Sequence, residues 1–143
     1  MTKKQTRIFI LEDSEDRIAV FESLYGEVAE LVIARNADEG ISMLNGGEFD
    51  LVFLDHDLGG EVYVDSSEHN TGFTVAKNLL KRDQHPIVII HSWNYHGARN
   101  MERALVEGGY RANVSYLPFN TPEFIQINSD IKGQIEEKCE NTA

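Results

Sequence analysis

The chain has 143 residues, enough for one domain with a buried core. Its 24 acidic residues against 13 Lys plus Arg leave a formal charge of −11, which argues against duplex nucleic acid or an anionic membrane as partner but leaves room for a small phosphorylated ligand or nucleotide at a local site. No apolar run approaches the length of a membrane span, "MTKKQTR" leads into no signal-like apolar region, and the single Cys139 makes no internal disulfide, so a cytoplasmic location is expected.

In chain order, short apolar strands alternate with segments of helical period. "RIFIL" (Arg7 to Leu11) opens the series and runs straight into Glu12 and Asp13. A helix follows with Ile18, Phe21 and Leu24 on one face and Gly26 at its end. "ELVIA" (Glu30 to Ala34) is the second strand; Asn36 as N-cap, with Glu39 three residues on, starts a helix that faces the core with Ala37, Ile41 and Leu44 and stops at Gly46. "DLVFL" (Asp50 to Leu54) is the third strand, ending in Asp55, His56 and Asp57. The connection "LGGEVYVDSSEHNTG" is longer than a strand-to-helix turn requires, and reads either as a lid over a site or as a surface excursion with a small hairpin at "EVYVD". Phe73, Ala76, Leu79 and Leu80 mark the third helix. "IVII" (Ile87 to Ile90) ends in His91, Ser92 and Asn94, and Met101, Ala104 and Leu105 mark the helix after it. "VSYL" (Val114 to Leu117) is the fifth strand; Thr121 then caps a last helix with Pro122 at its first position and Phe124, Ile127, Ile131 and Ile135 inward. One domain over residues 1–143 is expected, with its core at about 7–137 and a frayed tail after Glu137.

Five such units predict an α/β, flavodoxin-like sandwich with a five-stranded parallel sheet of order 2-1-3-4-5. In that order the first, third and fourth strands are central neighbours, and their polar ends converge where ligands bind. One carboxylate after a strand is ordinarily a turn former or cap, and one histidine there is ordinarily a hydrogen-bonded structural residue. Several carboxylates at one edge repel each other unless a cation or proton intervenes, which makes Glu12, Asp13, Asp55 and Asp57 the candidate ligands of a divalent ion. Oxygen ligands suit Mg²⁺ or Mn²⁺, and a nearby imidazole favours Mn²⁺ or a softer ion. His91 and His56 are the candidate acid and base, with Asp55 beside them, since imidazole changes charge near neutrality. Strand alternation places Asp55 and His56 on opposite faces unless the strand ends at Asp55, in which case His56 reaches the cleft; otherwise His56 supports the site from behind or lies in the core. Ser92, Asn94 and the backbone of Gly97, at a helix start, are candidate phosphate donors. Trp93 and Tyr95 either stack on a nucleobase or pack on the neighbouring loop. His85 and His96 receive no role.

"ILED" and "LVFLD" resemble the acidic triad of two-component receiver domains, with Asp55 at the phospho-acceptor position, His91 where a receiver has Ser or Thr, and "YLPF" where it has Lys-Pro-Phe, so that Leu117 replaces the lysine. The closer resemblance is to a divergent branch, the cyclic-phosphate processing receiver-like family, carried by "LDHDLGG", "TGFTVAKNL" and "HSWNYHGARNM". Glu12 stands where that branch more often has aspartate, and Tyr95 where it has proline. The resemblance implies a receiver-like fold and metal-dependent, phosphoesterase-like processing of a cyclic phosphate, either a cyclic nucleotide or a 2′,3′-cyclic end. Two other classes stay open: a stand-alone signalling receiver phosphorylated at Asp55, and a non-catalytic acidic interaction module.

Overall fold

The structure, a computed structural model, describes residues 5–83 and 85–140. Five strands, β1 (Arg7–Leu11), β2 (Glu30–Ala34), β3 (Leu51–Leu54), β4 (Ile87–Ile90) and β5 (Val114–Tyr116), form one parallel sheet in the order β2-β1-β3-β4-β5. The register sets Leu11 of β1 beside Leu54 of β3, and Leu54 beside Ile90 of β4, so the three central strands end level. Glu12, Asp55 and His91, each the next residue along its strand, therefore meet at one edge.

Alternation along the strands divides the core in two. Phe9, Leu11, Val52, Leu54, Val88 and Ile90 face one way, against α2 (Ala37–Asn45), α3 (Gly72–Leu79) and α4 (Tyr95–Leu105). Ile8, Ile10, Leu51, Phe53 and Ile89 face the other way, against α1 (Glu15–Tyr25) and α5 (Pro122–Glu140). The expected fold is the one observed.

Caps fix where the helices begin. Ser14 caps α1 by accepting from the Arg17 amide. Asn36 accepts from the Glu39 amide at 2.8 Å, as the capping pattern predicts, and Thr121 Oγ1 accepts from the Phe124 amide behind Pro122. Three expectations need correction. β3 starts at Leu51, because the Asp50 side chain turns back to accept from the Arg7 amide, and β5 stops at Tyr116, one residue before Leu117. On α3, Val75 joins the core while Phe73 is half-buried and Leu80 exposed, because the helix turns its Val75–Leu79 stripe to the sheet. α5 runs to Glu140, past Ile135, the last buried side chain among the described residues; residues 141–143 of the expected frayed tail lie outside them.

The hairpin at "EVYVD" does not form either. Residues 57–71 make a loop whose ends touch: Asp57 and Thr71 form an isolated antiparallel bridge, and the Gly72 amide donates to His56 O at 2.9 Å. Tyr63 within it has φ 56°, a left-handed conformation that no strand tolerates. The start of α3 is butted so closely on β3 that a Cβ at Gly72 would lie 1.8 Å from Asp55 O. Among the described residues, no helix is long and apolar enough to cross a membrane.

Candidate functional site

At the carboxyl edge of β1, β3 and β4 lies a cavity of about 400 Å³. Its floor is Glu12 and Asp55, 1% and 5% exposed. Glu12 Oε2 accepts the amides of Asp13 and Ser14 at 3.1 and 3.0 Å, and its Oε1 meets His91 Nε2 at 2.9 Å. Arg17, one turn into α1, brings its guanidinium to 3.7 Å from the same oxygen and lays it 5.0 Å from the centre of the Phe119 ring. Burial works to raise the Glu12 pKa, but the His91 hydrogen bond and charge, the Ser14 amide and Arg17 outweigh it and hold the carboxyl below its ordinary value. Asp55 shows the reverse balance. Burial first, then the charge of Glu12, pushes it up to about 7 against the opposing pull of His91, the His56 amide and Arg17.

His91 is 0% exposed and does not line the cavity. Its ring sits among Phe21, Phe53, Phe119 and Phe124, with centroids 5.3 to 6.4 Å away, and it reaches the site only through Glu12. Its Nδ1 is buried without a hydrogen-bond partner among the described residues. One ligand atom each from Glu12, Asp55 and His91 lie within 4.8 Å of one another. Two buried carboxylates, one of them pushed toward its neutral form by burial and then by the charge of the other, together with a nearby imidazole, are a donor set suited to a hard or borderline divalent cation.

Asp13 and Asp57 line the same cavity and are both engaged with its wall. Asp13 Oδ2 accepts the Gly60 amide at 2.7 Å. Asp57 accepts the amides of Tyr63 at 2.6 Å and Val64 at 3.3 Å, Asn94 Nδ2 at 2.9 Å, and faces His56 Nδ1 at 2.8 Å. Burial raises its pKa, but these bonds, from His56 and Asn94 above all, leave it below the ordinary value.

Residues 7–107 match the family profile described as the cyclic-phosphate processing receiver domain. The chain belongs to that family. Among solved structures it is similar to the response regulator TrrA of Thermotoga maritima, solved in complex with Mg²⁺-BeF, at 18% identity and TM-score 0.63, over 90% of this chain and 97% of that one. It is also similar to a CheY-like receiver domain of Methanospirillum hungatei, at 19% identity and TM-score 0.66 over 96% and 99%, and to the non-phosphorylated HemR receiver domain of Leptospira biflexa, at 21% and 0.65 over 90% and 94%. At these identities the likeness is one of fold. No curated protein matches the sequence.

The remaining predicted site residues of this receiver domain fall into two groups. Ser92 lines the cavity, and because its Oγ accepts the Asn94 amide, its own proton is free to be donated. Asn94 also lines it, but both ends of its amide are used: Oδ1 caps α4 by accepting from the Gly97 amide at 3.0 Å, and Nδ2 donates to Asp57 and Val64 O. The Gly97 amide is thus taken. The residue lacks a side chain for another reason, since a Cβ there would lie 2.5 Å from the His56 ring. β3 ends before Asp55, yet His56 turns under α4, wholly buried, with its ring held between Asp57 and Ser66 Oγ at 2.8 Å each. Tyr95 packs near Tyr116, whereas Trp93 lines the cavity with Nε1 donating to Phe119 O at 3.0 Å.

Sequence reasoning missed Arg17. Among the described residues, it is the cavity's one cationic side chain. The signal was available: three residues after the N-cap Ser14, it stands on the first turn of a helix that starts at the site.

Proposed function

We propose that this receiver domain hydrolyses a cyclic phosphodiester bound in the cavity beyond β1, β3 and β4. The observation that carries the reading is the buried pair Glu12 and His91, 2.9 Å apart, which puts an imidazole directly behind a carboxylate on the cavity floor. Asp55, beside the charge of Glu12, would hold a divalent cation, Mg²⁺ or Mn²⁺; when bound, it supplies positive charge at a phosphoryl oxygen and makes water more acidic.

The chain's own residues do the rest. Arg17 faces the charge that builds on the non-bridging oxygens, and the Ser92 hydroxyl donates to one of them. Glu12 Oε1 exchanges a proton with the reacting centre, with His91 Nε2 as the store behind it; His91 is thus a positioning and proton-holding residue that acts through Glu12. Water adds to phosphorus, one ester P–O bond of the ring breaks, and the proton lost by water ends on the departing alkoxide. The product is a phosphomonoester. His56, Asp57 and Asn94 hold the wall, and Gly97 leaves room for the His56 ring.

A second reading has one specific observation in its favour: Asp55 stands at the end of β3 on the cavity floor, held by a bond from the His56 amide at 2.9 Å, as a phosphoryl acceptor in a signalling receiver would need. Against it, the residue after β5 is the apolar Leu117, packed against the core, so β5 brings no cation to neutralise an aspartyl phosphate.

Phosphorus NMR tests both. With Mg²⁺ or Mn²⁺, the protein is expected to convert a 2′,3′-cyclic nucleotide to a monoester, in a reaction stopped by a chelator and lost in His91→Ala. If cyclic substrates, including 3′,5′-cyclic nucleotides, persist while acetyl phosphate labels Asp55, the signalling reading replaces the first. If neither reaction occurs, a non-catalytic module is left.

A further inference from the structure

The floor of the cavity accounts for a cation and a phosphate, but its volume, about 400 Å³, is that of a small-molecule pocket, and its outer wall is of a different chemistry. Gly60 to Tyr63 and Trp93 form that wall. Tyr63 is 79% exposed and Trp93 56%, in a chain whose large side chains are otherwise mostly inside.

Both residues are anchored, Trp93 through its indole and Tyr63 through its backbone. The Trp93 indole is fixed by its bond to Phe119 O, and Phe119 in turn donates its amide to His91 O at 2.9 Å. The Tyr63 backbone is held in the left-handed region, φ 56°, which disfavours a bulky side chain, and the Asp57 carboxylate secures it through the 2.6 Å bond to its amide. Asp13 holds Gly60 of the same wall at 2.7 Å, and Asn94 holds Val64 O at 3.1 Å. Polar groups of the site are thus used to keep two exposed aromatic residues at its mouth. A ligand that ended at the phosphate would gain nothing from them.

The geometry points to a subsite for a planar aromatic base: Tyr63 and Trp93 receive the base of a nucleoside cyclic phosphate whose phosphate lies on the floor beside Arg17. The inference rests on the phosphoester reading and names its substrate class. Stacking on an aromatic face needs no base-specific hydrogen bond, so purine and pyrimidine esters are both accepted, the larger ring more tightly.

The test compares adenosine 2′,3′-cyclic monophosphate with glycerol 1,2-cyclic phosphate, which presents the same reacting ring without a base. In the Mg²⁺-loaded protein, kcat/KM is expected to favour the nucleoside ester by at least about tenfold, the scale of one stacked base. Tyr63→Ala should bring the ratio down to within about twofold, and Tyr63→Phe, which keeps the ring, should restore it. Trp93 is the single tryptophan of the chain, so its emission reports binding directly: adenosine 3′-monophosphate should quench it at concentrations at which glycerol phosphate does not. Equal kcat/KM for the two esters would overturn the subsite and leave the phosphoester reading standing. Failure to open either ester, with no change in emission, would remove both. Circular dichroism of Tyr63→Ala separates loss of the base contact from loss of the fold.

Discussion

His91 Nε2 and Glu12 Oε1 lie 2.9 Å apart with both side chains out of solvent, and the other imidazole nitrogen, Nδ1, has no hydrogen-bond partner among the described residues. The pair is therefore one-sided: everything polar that His91 does through its ring passes through Glu12. His91→Ala should empty an aromatic-lined space and destabilise the fold by roughly 2–4 kcal/mol, besides abolishing turnover. His91→Gln keeps an amide in reach of Glu12. It should retain most of the stability in urea unfolding while losing on the order of 10²-fold in kcat, since it cannot exchange a proton. Full activity in the Gln variant would show that only the hydrogen bond matters.

Asp55 carries the pH dependence. Its pKa is about 7 in the folded chain against an ordinary 3.8, so folding takes up a proton between those values. For a carboxyl raised in this way, the favourable contribution is present in full below pH 4 and is lost as pH rises to about 7. In metal-free protein, Asp55→Asn should thus stabilise more at pH 8 than at pH 5, with a difference on the order of 2–4 kcal/mol. Glu12, held below its ordinary value, adds the opposite trend only below about pH 4.5, where protonation removes its contribution. Thermal unfolding across pH 4–8 measures the difference. Added Mg²⁺ should raise the Tm of the wild type and not of Asp55→Asn.

Arg17 offers a charge test. Its side chain is 29% exposed, so Arg17→Ala should fold normally; product phosphomonoester should bind about tenfold or more weakly, and Arg17→Lys should recover part of the loss. Calorimetric titration in low and high salt reads both. Unchanged affinity in Arg17→Ala would remove the residue from the site.

Gly97 and His56 should behave as one unit. A methyl at residue 97 would lie 2.5 to 2.6 Å from three atoms of the His56 ring, and the ring is fully buried. Gly97→Ala is expected to cost at least about 2 kcal/mol by overpacking. Combined with His56→Ala, that cost should fall by about 1 kcal/mol or more, a coupling that a double-mutant cycle in urea detects.

Asp57→Ala should loosen the wall without touching the floor. It removes the acceptor of the Tyr63 and Val64 amides and of Asn94 Nδ2 and leaves His56 Nδ1 without its carboxylate. Charge-assisted bonds of this kind each contribute about 1.5–3 kcal/mol. Amide exchange should speed up in residues 60–66 while β1 and β3 remain protected.

The sheet was legible because period and burial coincide in it: the residues of β1, β2 and β4 were read to their true ends from apolar runs alone, and β3 and β5 to within one residue. The meeting of Glu12, Asp55 and His91 was legible too, since strand order alone places those ends together. Side-chain direction was not. Nothing in the sequence told that Asp13 and Asp57 would turn to loop amides, that His56 would turn under α4, or that His91 would lie behind Glu12 rather than beside it. These depend on a loop whose path no periodicity encodes. The same loop reads as a hairpin by alternation in "EVYV", and fails to form one because Asp57 takes the Tyr63 amide into a left-handed turn.

That loop leaves and rejoins the scaffold at almost one point, where Asp57 bridges Thr71 and the Gly72 amide closes on His56 O. Because its closure is already fixed, changing its length alters the entropic cost only logarithmically, and no strand or helix has to shift to admit the change. The domain is therefore built as a constant floor with an exchangeable panel. Grafting another sequence over residues 59–65, which leaves Leu58 in the core and Ser66 against the His56 ring, should give a protein with the same carboxylates in place and a new choice of ligand.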